Sequence, residues 1–210
     1  MTTDDLTLCR CMSREALLAA GVPLRYSIAS WDEITPALLD DLHGYCEEIE
    51  ANIRAGYGLT LVGPYGCGKT MGAVLALDQA MAAPGELTGY VGDPPHIREI
   101  RRPFACKFGL ASEMSLVLHH PGHGNNLERI EAWKTADFLV IDDFHKFYAS
   151  DWDLYQLEAL MDARHAERRA TCLTLNDLGL FDRLPGVADR LRESSLMLLM
   201  GDEVESRRGR

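Results

Sequence analysis

The apolar positions of this chain fall into two kinds of stretch, short unbroken runs and longer segments in which they recur every three or four residues. Strands are predicted over residues 59–62, 106–110, 138–141, 171–175 and 195–200, and the unbroken apolar run over 138–141 is typical of a strand buried on both faces of a parallel sheet. The helix-spaced segments lie between these runs. Strands that alternate with helices favour one parallel sheet with right-handed crossovers, so a ligand is expected at the carboxyl ends of the strands.

Segments outside this alternation predict a short helix, one longer helix and two irregular connections. The short helix is expected over residues 13–20. Thr35-Pro36 then supplies an N-cap and a first-turn proline for a single helix that runs to about residue 54. Residues 83–104 are rich in Pro and Gly and carry three arginines, which predicts a loop-rich insertion with a basic cluster. Residues 119–126 are expected to form a solvated turn.

One segment fits the phosphate-loop pattern G-x-x-x-x-G-K-[ST] and directly follows the first predicted strand of the sheet. Glycines let the backbone curl so that successive N–H groups point inward, and the loop opens a helix whose positive end faces the same anion. Lys69 is expected to contact the β- and γ-phosphates, and Thr70 to bind Mg²⁺. The residues predicted to bind ATP are Gly63, Pro64, Tyr65, Gly66, Cys67, Gly68, Lys69 and Thr70.

A second motif lies at the end of the strand predicted over residues 138–141, where two carboxylates follow the apolar run. The pattern is typical of a Walker B strand. Asp142 is expected to hold the hydrated Mg²⁺, and Asp143 to polarise the water that attacks the γ-phosphate. In isolation such a strand would favour a solvated acidic turn. The phosphate loop upstream favours ATP hydrolysis instead.

Length and charge limit the range of functions. A chain of 210 residues is long enough for one α/β domain with a full core. We expect an N-terminal arm and lead-in over residues 1–34 and the ATPase domain over residues 35–210. The formal net charge of −11 argues against a surface that binds nucleic acid broadly through its phosphates. A local basic patch, or a channel formed by assembly, is still compatible with this charge.

Cysteine usage and hydropathy predict a reduced, cytoplasmic protein. Six cysteines are scattered along the chain, no secretory signal precedes them, and no apolar stretch approaches the roughly 18 residues of a membrane helix. Cys9 and Cys11 could form half of a zinc site, but no second pair is placed to complete it. The histidines at 119, 120 and 123 stand in a Pro-Gly segment, so a turn is favoured over a metal site.

The motifs GPYGCGKT, LVIDDF, TCLTLND, GVADRLRES and MGDEVESRR occur in an order that resembles the AAA+ ATPases of the DnaC/IstB group. This group includes helicase loaders and transposition ATPases, and the likeness covers about residues 15–208. It implies the P-loop NTPase fold of the AAA+/ASCE class, a three-layer αβα sandwich around a parallel sheet, with a minimal or absent C-terminal lid. It also implies a slow, Mg²⁺-dependent ATP hydrolase.

The resemblance assigns catalytic roles to two further positions. Asn176 matches the sensor residue that orients the attacking water, although a strand-end turn residue would look the same. Arg190 matches the arginine finger that a neighbouring subunit inserts against the γ-phosphate. Arg192 is the alternative for this role. Side chains two residues apart on a helix point about 200° away from each other, so only one of the two arginines can face a given site. Arg207 or Arg208 matches a C-terminal sensor arginine, and a charge-rich tail is equally consistent.

The function implied by the resemblance is that of a DnaC-like replicative helicase loader in DNA replication. The expected partners are a replicative helicase or another DNA-bound protein, possible single-stranded DNA, and further copies of the chain with the finger acting in trans; no membrane partner is expected. Three alternatives stay open. They are an IstB-like transposition regulator that favours duplex DNA, a nucleotide or small-molecule kinase, and a non-hydrolysing adaptor that assembles on nucleotide.

Overall fold

The computed structural model describes residues 11–34, 36–92, 95–147 and 150–199. Within these residues the chain forms eight α-helices and seven strands. The helices are α1 (Arg14–Ala19), α2 (Pro36–Glu47), α3 (Ile49–Ala55), α4 (Lys69–Ala82), α5 (Ala111–His119), α6 (Asn126–Thr135), α7 (Asp151–Ala166) and α8 (Pro185–Ser194). The strands are β1 (Gly58–Val62), β2 (Glu86–Val91), β3 (Arg98–Arg102), β4 (Cys106–Leu110), β5 (Phe138–Asp142), β6 (Ala170–Leu175) and β7 (Ser195–Leu199).

Five strands form one parallel sheet in the order β4-β5-β6-β1-β7. Strands β5, β6 and β1 are buried along their whole length, as their unbroken apolar runs predict. The sheet order places the carboxyl end of β6 between those of β1 and β5. The phosphate loop after β1 and the two carboxylates at the end of β5 therefore lie on the same side of the sheet, at the carboxyl ends of its strands.

Alternate side chains of the sheet enter two different hydrophobic cores. Phe138 and Val140 of β5 pack in the core that includes α1 to α4, whereas Leu139 and Ile141 pack in the core that includes α5 to α8. Helices thus cover both faces of a parallel sheet. The predicted three-layer αβα sandwich is confirmed.

The prediction of a single helix over residues 35–54 is wrong, because two helices, α2 and α3, occupy this segment. Glu48 leaves the helical backbone with φ −100° and ψ 17° between α2 and α3. At this break Asn52 Nδ2 donates a hydrogen bond to the carbonyl oxygen of Tyr45 over 3.0 Å. An asparagine side chain that bonds to nearby backbone in this way competes with the regular helical pattern.

The loop-rich insertion predicted over residues 83–104 is also wrong, because β2 and β3 form an antiparallel hairpin there. Gly85 and Gly92, which indicated a loop, lie at the ends of β2 with φ of +83° and +100°. Arg101 and Arg102 are ion-paired with acidic neighbours, whereas Arg98 is exposed. The carboxylates that neutralise most of the predicted basic cluster belong to Glu50, Glu86, Glu99 and Asp137.

Helix α6 follows the predicted turn at residues 119–126 and was not predicted from the sequence. Its only buried side chains, among those of the described residues, are Ile130 and Trp133. Two apolar positions three residues apart are a weak helical signal. Packing of α6 against α5 and α7 compensates for that weak local pattern.

The described part of the predicted N-terminal arm packs onto the rest of the chain. The N–H groups of Cys11 and Met12 donate to the buried carboxylate of Asp78 on α4 over 2.7 and 2.8 Å. At the edge strand β4, the N–H of Phe108 donates to the carbonyl oxygen of Ala20 over 2.8 Å. These segments therefore share one core. The domain boundary after residue 34 stays a prediction.

Arg164 on α7 joins the starts of two strands, although it is only 1% exposed. Within the described residues it forms no ion pair, and burial lowers the pKa of its guanidinium to about 9. Its N–H groups donate instead to oxygen atoms that lie just before β5 and at the start of β6. These acceptors are the carbonyls of Trp133, Lys134, Ala136 and Ala170 and the hydroxyl of Thr171.

We expect Arg164→Met to lower the free energy of unfolding by about 3 kcal/mol or more, because each buried acceptor that loses its donor costs about 1–3 kcal/mol. Urea denaturation followed by circular dichroism measures this change. Arg192→Met removes an exposed guanidinium and should change stability by less than about 0.5 kcal/mol. Equal stability of the two variants would contradict the role assigned to Arg164.

Candidate functional site

The phosphate loop between β1 and α4 owes its shape to two glycines. Gly66 and Gly68 have φ of +82° and +98°, which other residues rarely adopt. Gly68 is also the N-cap of α4, so the loop leads directly into the positive end of a 14-residue helix. This local geometry fits a phosphate-binding loop, as the sequence pattern predicts.

Lys69 is held inside the loop that it follows. Its Nζ donates hydrogen bonds to the carbonyl oxygens of Gly63 and Pro64 over 2.7 and 2.8 Å. The side chain is only 6% exposed, and Cys67 Sγ lies 3.7 Å from the same nitrogen. A buried ammonium group at the start of α4 gives the loop a fixed positive charge for a phosphate.

Three side chains from three parts of the sheet edge are joined through one carboxylate oxygen. Asp142 Oδ1 accepts hydrogen bonds from the hydroxyls of Thr70, over 2.9 Å, and Thr174, over 2.6 Å. Thr174 Oγ1 also accepts a hydrogen bond from the backbone N–H of Asp143 over 2.9 Å. The predicted Mg²⁺ residues Thr70 and Asp142 are therefore in direct contact.

The oxygen atoms of Thr70 and Asp142 fit a divalent cation that prefers oxygen ligands. Burial raises the pKa of Asp142, and the two hydroxyl bonds partly oppose this rise. A cation beside the carboxylate would favour its charged form. Among the described residues no three His, Cys, Asp or Glu side chains cluster as a metal site. Mg²⁺ normally takes one or two protein oxygens together with waters and substrate phosphates, so the pair is sufficient.

Asp143 occupies a backbone conformation that is unusual for a residue other than glycine. Its φ of 55° and ψ of 44° are left-handed, and its N–H is fixed by Thr174. Its carboxylate forms an ion pair with Lys146 over 2.5 Å. The hydrogen bond that Lys146 donates to this carboxylate raises the pKa of Lys146. Asp143 is thus turned away from the straight course of β5 while it stays next to Asp142.

Asn176 follows β6 and contacts a histidine from the loop after β5. Asn176 Nδ2 lies 2.8 Å from His145 Nε2, and the hydroxyl of Tyr65 in the phosphate loop lies 3.4 Å from the same nitrogen. Tyr65 and His145 also pack edge to face with ring centroids 5.9 Å apart. The predicted sensor residue is therefore linked to the phosphate loop through His145.

Arg190 lies away from these residues, near the amino-terminal ends of the strands. It lines a cavity of about 500 Å³ together with residues that precede or begin strands, namely Tyr57, Thr171 and Ser194. Its guanidinium forms an ion pair with Asp162 on α7 over 2.8 Å. Arg192 is exposed on another side of the same helix. The structure therefore does not bring Arg190 to the phosphate loop of its own chain.

Several solved structures share this fold. The chain has a TM-score of 0.60 and 22% identity to a DnaC helicase loader structure, covering 85% of this chain and 100% of that chain. A structure of DnaI has a TM-score of 0.63 and 16% identity, covering 85% of this chain and 94% of that chain. The replication initiator DnaA bound to AMPPCP and single-stranded DNA has a TM-score of 0.56 and 14% identity, covering 87% of this chain and 52% of that chain. No family model and no curated protein matches the chain.

The chain has an AAA+ fold. The resemblance to DnaC that the motifs indicate is confirmed at the level of this fold. The chain spans about half of the DnaA structure, 52% of it, and nearly all of the two shorter structures. Within the described part of the chain, no helix is both long and apolar enough to cross a membrane.

Two residues of this AAA+ site were missed by the motifs. Thr174 is 0% exposed in an otherwise largely apolar strand, and a polar residue so near the end of a buried strand is a usable signal. His145 follows the Walker B carboxylates by two residues, a position to which the pattern assigns no role. Both become recognisable only when the strand order places β5 beside β6.

The other residues weighed as ligands are placed elsewhere. His120 forms ring contacts with His119 and with His123, and His119 Nδ1 contacts Asp153 Oδ1 over 2.7 Å. None of the five cysteines in the described ranges forms a disulfide. Cys9, Arg207 and Arg208 lie outside the described residues.

We expect Lys69→Ala to weaken ATP binding by about tenfold to a hundredfold, because a hydrogen bond to a charged group contributes about 1.5–3 kcal/mol. Asp143→Asn should keep the affinity, since Thr70 and Asp142 are unchanged. Isothermal titration with ATP and Mg²⁺ measures both. Lys134→Ala, which removes an exposed lysine paired with Glu131, serves as the control. Unchanged affinity in Lys69→Ala would contradict the phosphate-loop assignment.

Proposed function

We propose that this chain is a Mg²⁺-dependent AAA+ ATP hydrolase that acts as a DnaC-like helicase loader in DNA replication. The observation that carries the proposal is the meeting of four predicted site residues at one edge of the sheet. Lys69 is buried in the phosphate loop, Thr70 touches Asp142, and Asp143 follows on the same strand end. This arrangement supports phosphoryl transfer to water more directly than any other chemistry.

The mechanism assigns one task to each of these side chains. The loop N–H groups and Lys69 bind the β- and γ-phosphates, and Thr70 and Asp142 supply the protein oxygens for Mg²⁺. The ion, when bound, neutralises charge that develops on the phosphate oxygens. Asp143 accepts a hydrogen bond from the attacking water and polarises it. Asn176, at the next strand end, orients that water.

Assembly is proposed because the predicted arginine finger is remote from the loop of its own chain. Arg190 lies where β1, β6 and β7 begin, whereas the phosphate loop lies where β1 ends. A guanidinium in this position can complete only the site of another subunit. The Arg190 side chain is 31% exposed, although the Nη1 atom that pairs with Asp162 Oδ1 is buried, so a neighbouring subunit would have to displace this ion pair to engage the guanidinium.

The helicase partner is proposed from the fold, and contact with single-stranded DNA is proposed from one surface feature. The proteins with the same fold include a structure named as a helicase loader and one bound to single-stranded DNA. On the first turns of α7, Trp152 and Tyr155 are 53% and 63% exposed, with ring centroids 6.1 Å apart at 31°. Exposed aromatic rings are the groups on which bases of single-stranded nucleic acid stack.

The alternatives differ from the loader in what they require. An IstB-like transposition regulator would retain duplex DNA, and the net charge of −11 makes a broad duplex contact unfavourable. A kinase would transfer phosphate to an acceptor molecule. A non-hydrolysing adaptor would bind ATP as tightly as proposed but release no phosphate. DNA retention distinguishes the transposition regulator, a lack of phosphate release identifies the adaptor, and transfer of phosphate to an added nucleotide would identify the kinase.

We expect the Asp143→Asn variant with ATP to form a stable complex with the purified replicative helicase and to place it on circular single-stranded DNA. Lys69→Ala should form no such complex. Trp152→Ala should weaken retention of single-stranded DNA about fivefold or more, as loss of a stacking ring implies. Size-exclusion chromatography and DNA retention measure these effects. Retention of duplex DNA instead would favour the transposition regulator.

Mixing two inactive variants tests assembly. Arg190→Ala should bind ATP normally but release phosphate slowly, and Asp143→Asn should do the same for a different reason. Mixed together, they should regain activity, because an intact pocket from one meets an intact finger from the other. Recovery should rise with protein concentration. Arg192→Ala is the matched control and should hydrolyse ATP normally. Full activity of Arg190→Ala, or of a dilute monomer, would contradict the trans arrangement.

A further inference from the structure

His145 joins three segments that the proposed mechanism uses. It lies on the short turn after Asp143, and its Nε2 contacts the amide of Asn176 and the hydroxyl of Tyr65. The phosphate loop, the end of β5 and the end of β6 therefore meet at one imidazole nitrogen. The proposed mechanism gives this residue no task, although it touches the predicted sensor.

The hydrogen-bond polarity at this contact defines the form of the histidine. Asn176 Nδ2 is a donor, so His145 Nε2 must accept with its lone pair, and the proton of the neutral ring must then lie on Nδ1. The Tyr65 hydroxyl can donate to the same nitrogen. Asn176 Oδ1 and His145 Nδ1 are both buried and have no hydrogen-bond partner among the described residues.

We propose that neutral His145 is a positioning residue that sets the orientation of the Asn176 amide, so that the unpartnered Asn176 Oδ1 is the atom left to accept a hydrogen bond from the attacking water when nucleotide opens the site. An acceptor oxygen fits this task, because it takes a hydrogen bond from the water and leaves a lone pair of the water free to attack phosphorus. The Nδ2 group of the same amide could not do so, since it only donates. This inference rests on the proposed ATP hydrolysis.

Protonation of His145 would reverse the arrangement. A proton on Nε2 makes both ring nitrogens donors, so the amide must turn and offer Oδ1 to the ring, which leaves Nδ2 facing the water. Burial lowers the pKa of His145, so the neutral ring is favoured near neutral pH. The charged and titratable groups around it partly oppose one another, and they are Lys69, Tyr65, Asp143, Lys146 and Asp177.

The orientation can be tested by nuclear magnetic resonance without any nucleotide. The imidazole ¹⁵N shifts of His145 should show the Nδ1–H tautomer at pH 7.5. The side-chain NH₂ signals of Asn176 should move as the pH falls below 6.5, the ordinary pKa of histidine. In His145→Gln, whose side-chain oxygen accepts but does not titrate, these signals should stay in place. An Nε2–H tautomer at pH 7.5 would overturn the proposal.

Kinetics supply the second test. His145→Phe keeps a ring beside Tyr65 but removes the acceptor, so kcat should fall about tenfold while KM for ATP stays within about twofold. His145→Gln should retain most of the rate and lose the fall in kcat below pH 6.5. His123→Gln, which changes an exposed histidine outside the site, is the control.

A double-mutant cycle separates positioning from general destabilisation. On an Asn176→Ala background, His145→Phe should reduce kcat no further, since no amide remains to be oriented. Effects that multiply instead would overturn the proposal, as would a low-pH limb that persists in His145→Gln. Absence of ATP hydrolysis by the unmodified chain would contradict the proposed function alone, because the resonance experiment reports on His145 and Asn176 independently.

Discussion

The site depends on one carboxylate oxygen. Asp142 Oδ1 accepts hydrogen bonds from Thr70, at the start of the helix after β1, and from Thr174 on the neighbouring strand β6. Because Thr174 also holds the N–H of Asp143, one chain of hydrogen bonds fixes the helix start, two strand ends and the second carboxylate together. A buried polar group without its hydrogen-bond partner is energetically costly, so loss of any one of these side chains would leave the others unsatisfied.

The two edges of the sheet serve different purposes, and helix α7 connects them. At its first turns α7 carries the aromatic pair, and near its end Arg164 binds the carbonyls before β5 and β6 while Asp162 holds Arg190. Sixteen residues of helix extend about 24 Å. A single helix therefore runs from the side of the sheet that carries the candidate site to the side that carries Arg190.

The sequence predicted those parts of the fold and site that are local. The phosphate loop and the Walker B strand are contiguous patterns, and the strands of the sheet are unbroken apolar runs, so all were found at nearly their observed bounds. The β2–β3 hairpin was hidden by its flanking glycines and prolines, and α6 by its two buried positions. Thr174 and His145 could not be assigned, because their contacts depend on β5 lying beside β6, which no local pattern specifies.

The hydrogen bonds of Lys69 to the carbonyls of Gly63 and Pro64 have a consequence for nucleotide exchange. A buried ammonium without acceptors would be strongly unfavourable. Here the loop's own carbonyls satisfy this group. For a nucleotide to use Lys69, its phosphate oxygens would have to compete with these two carbonyls for the same ammonium group.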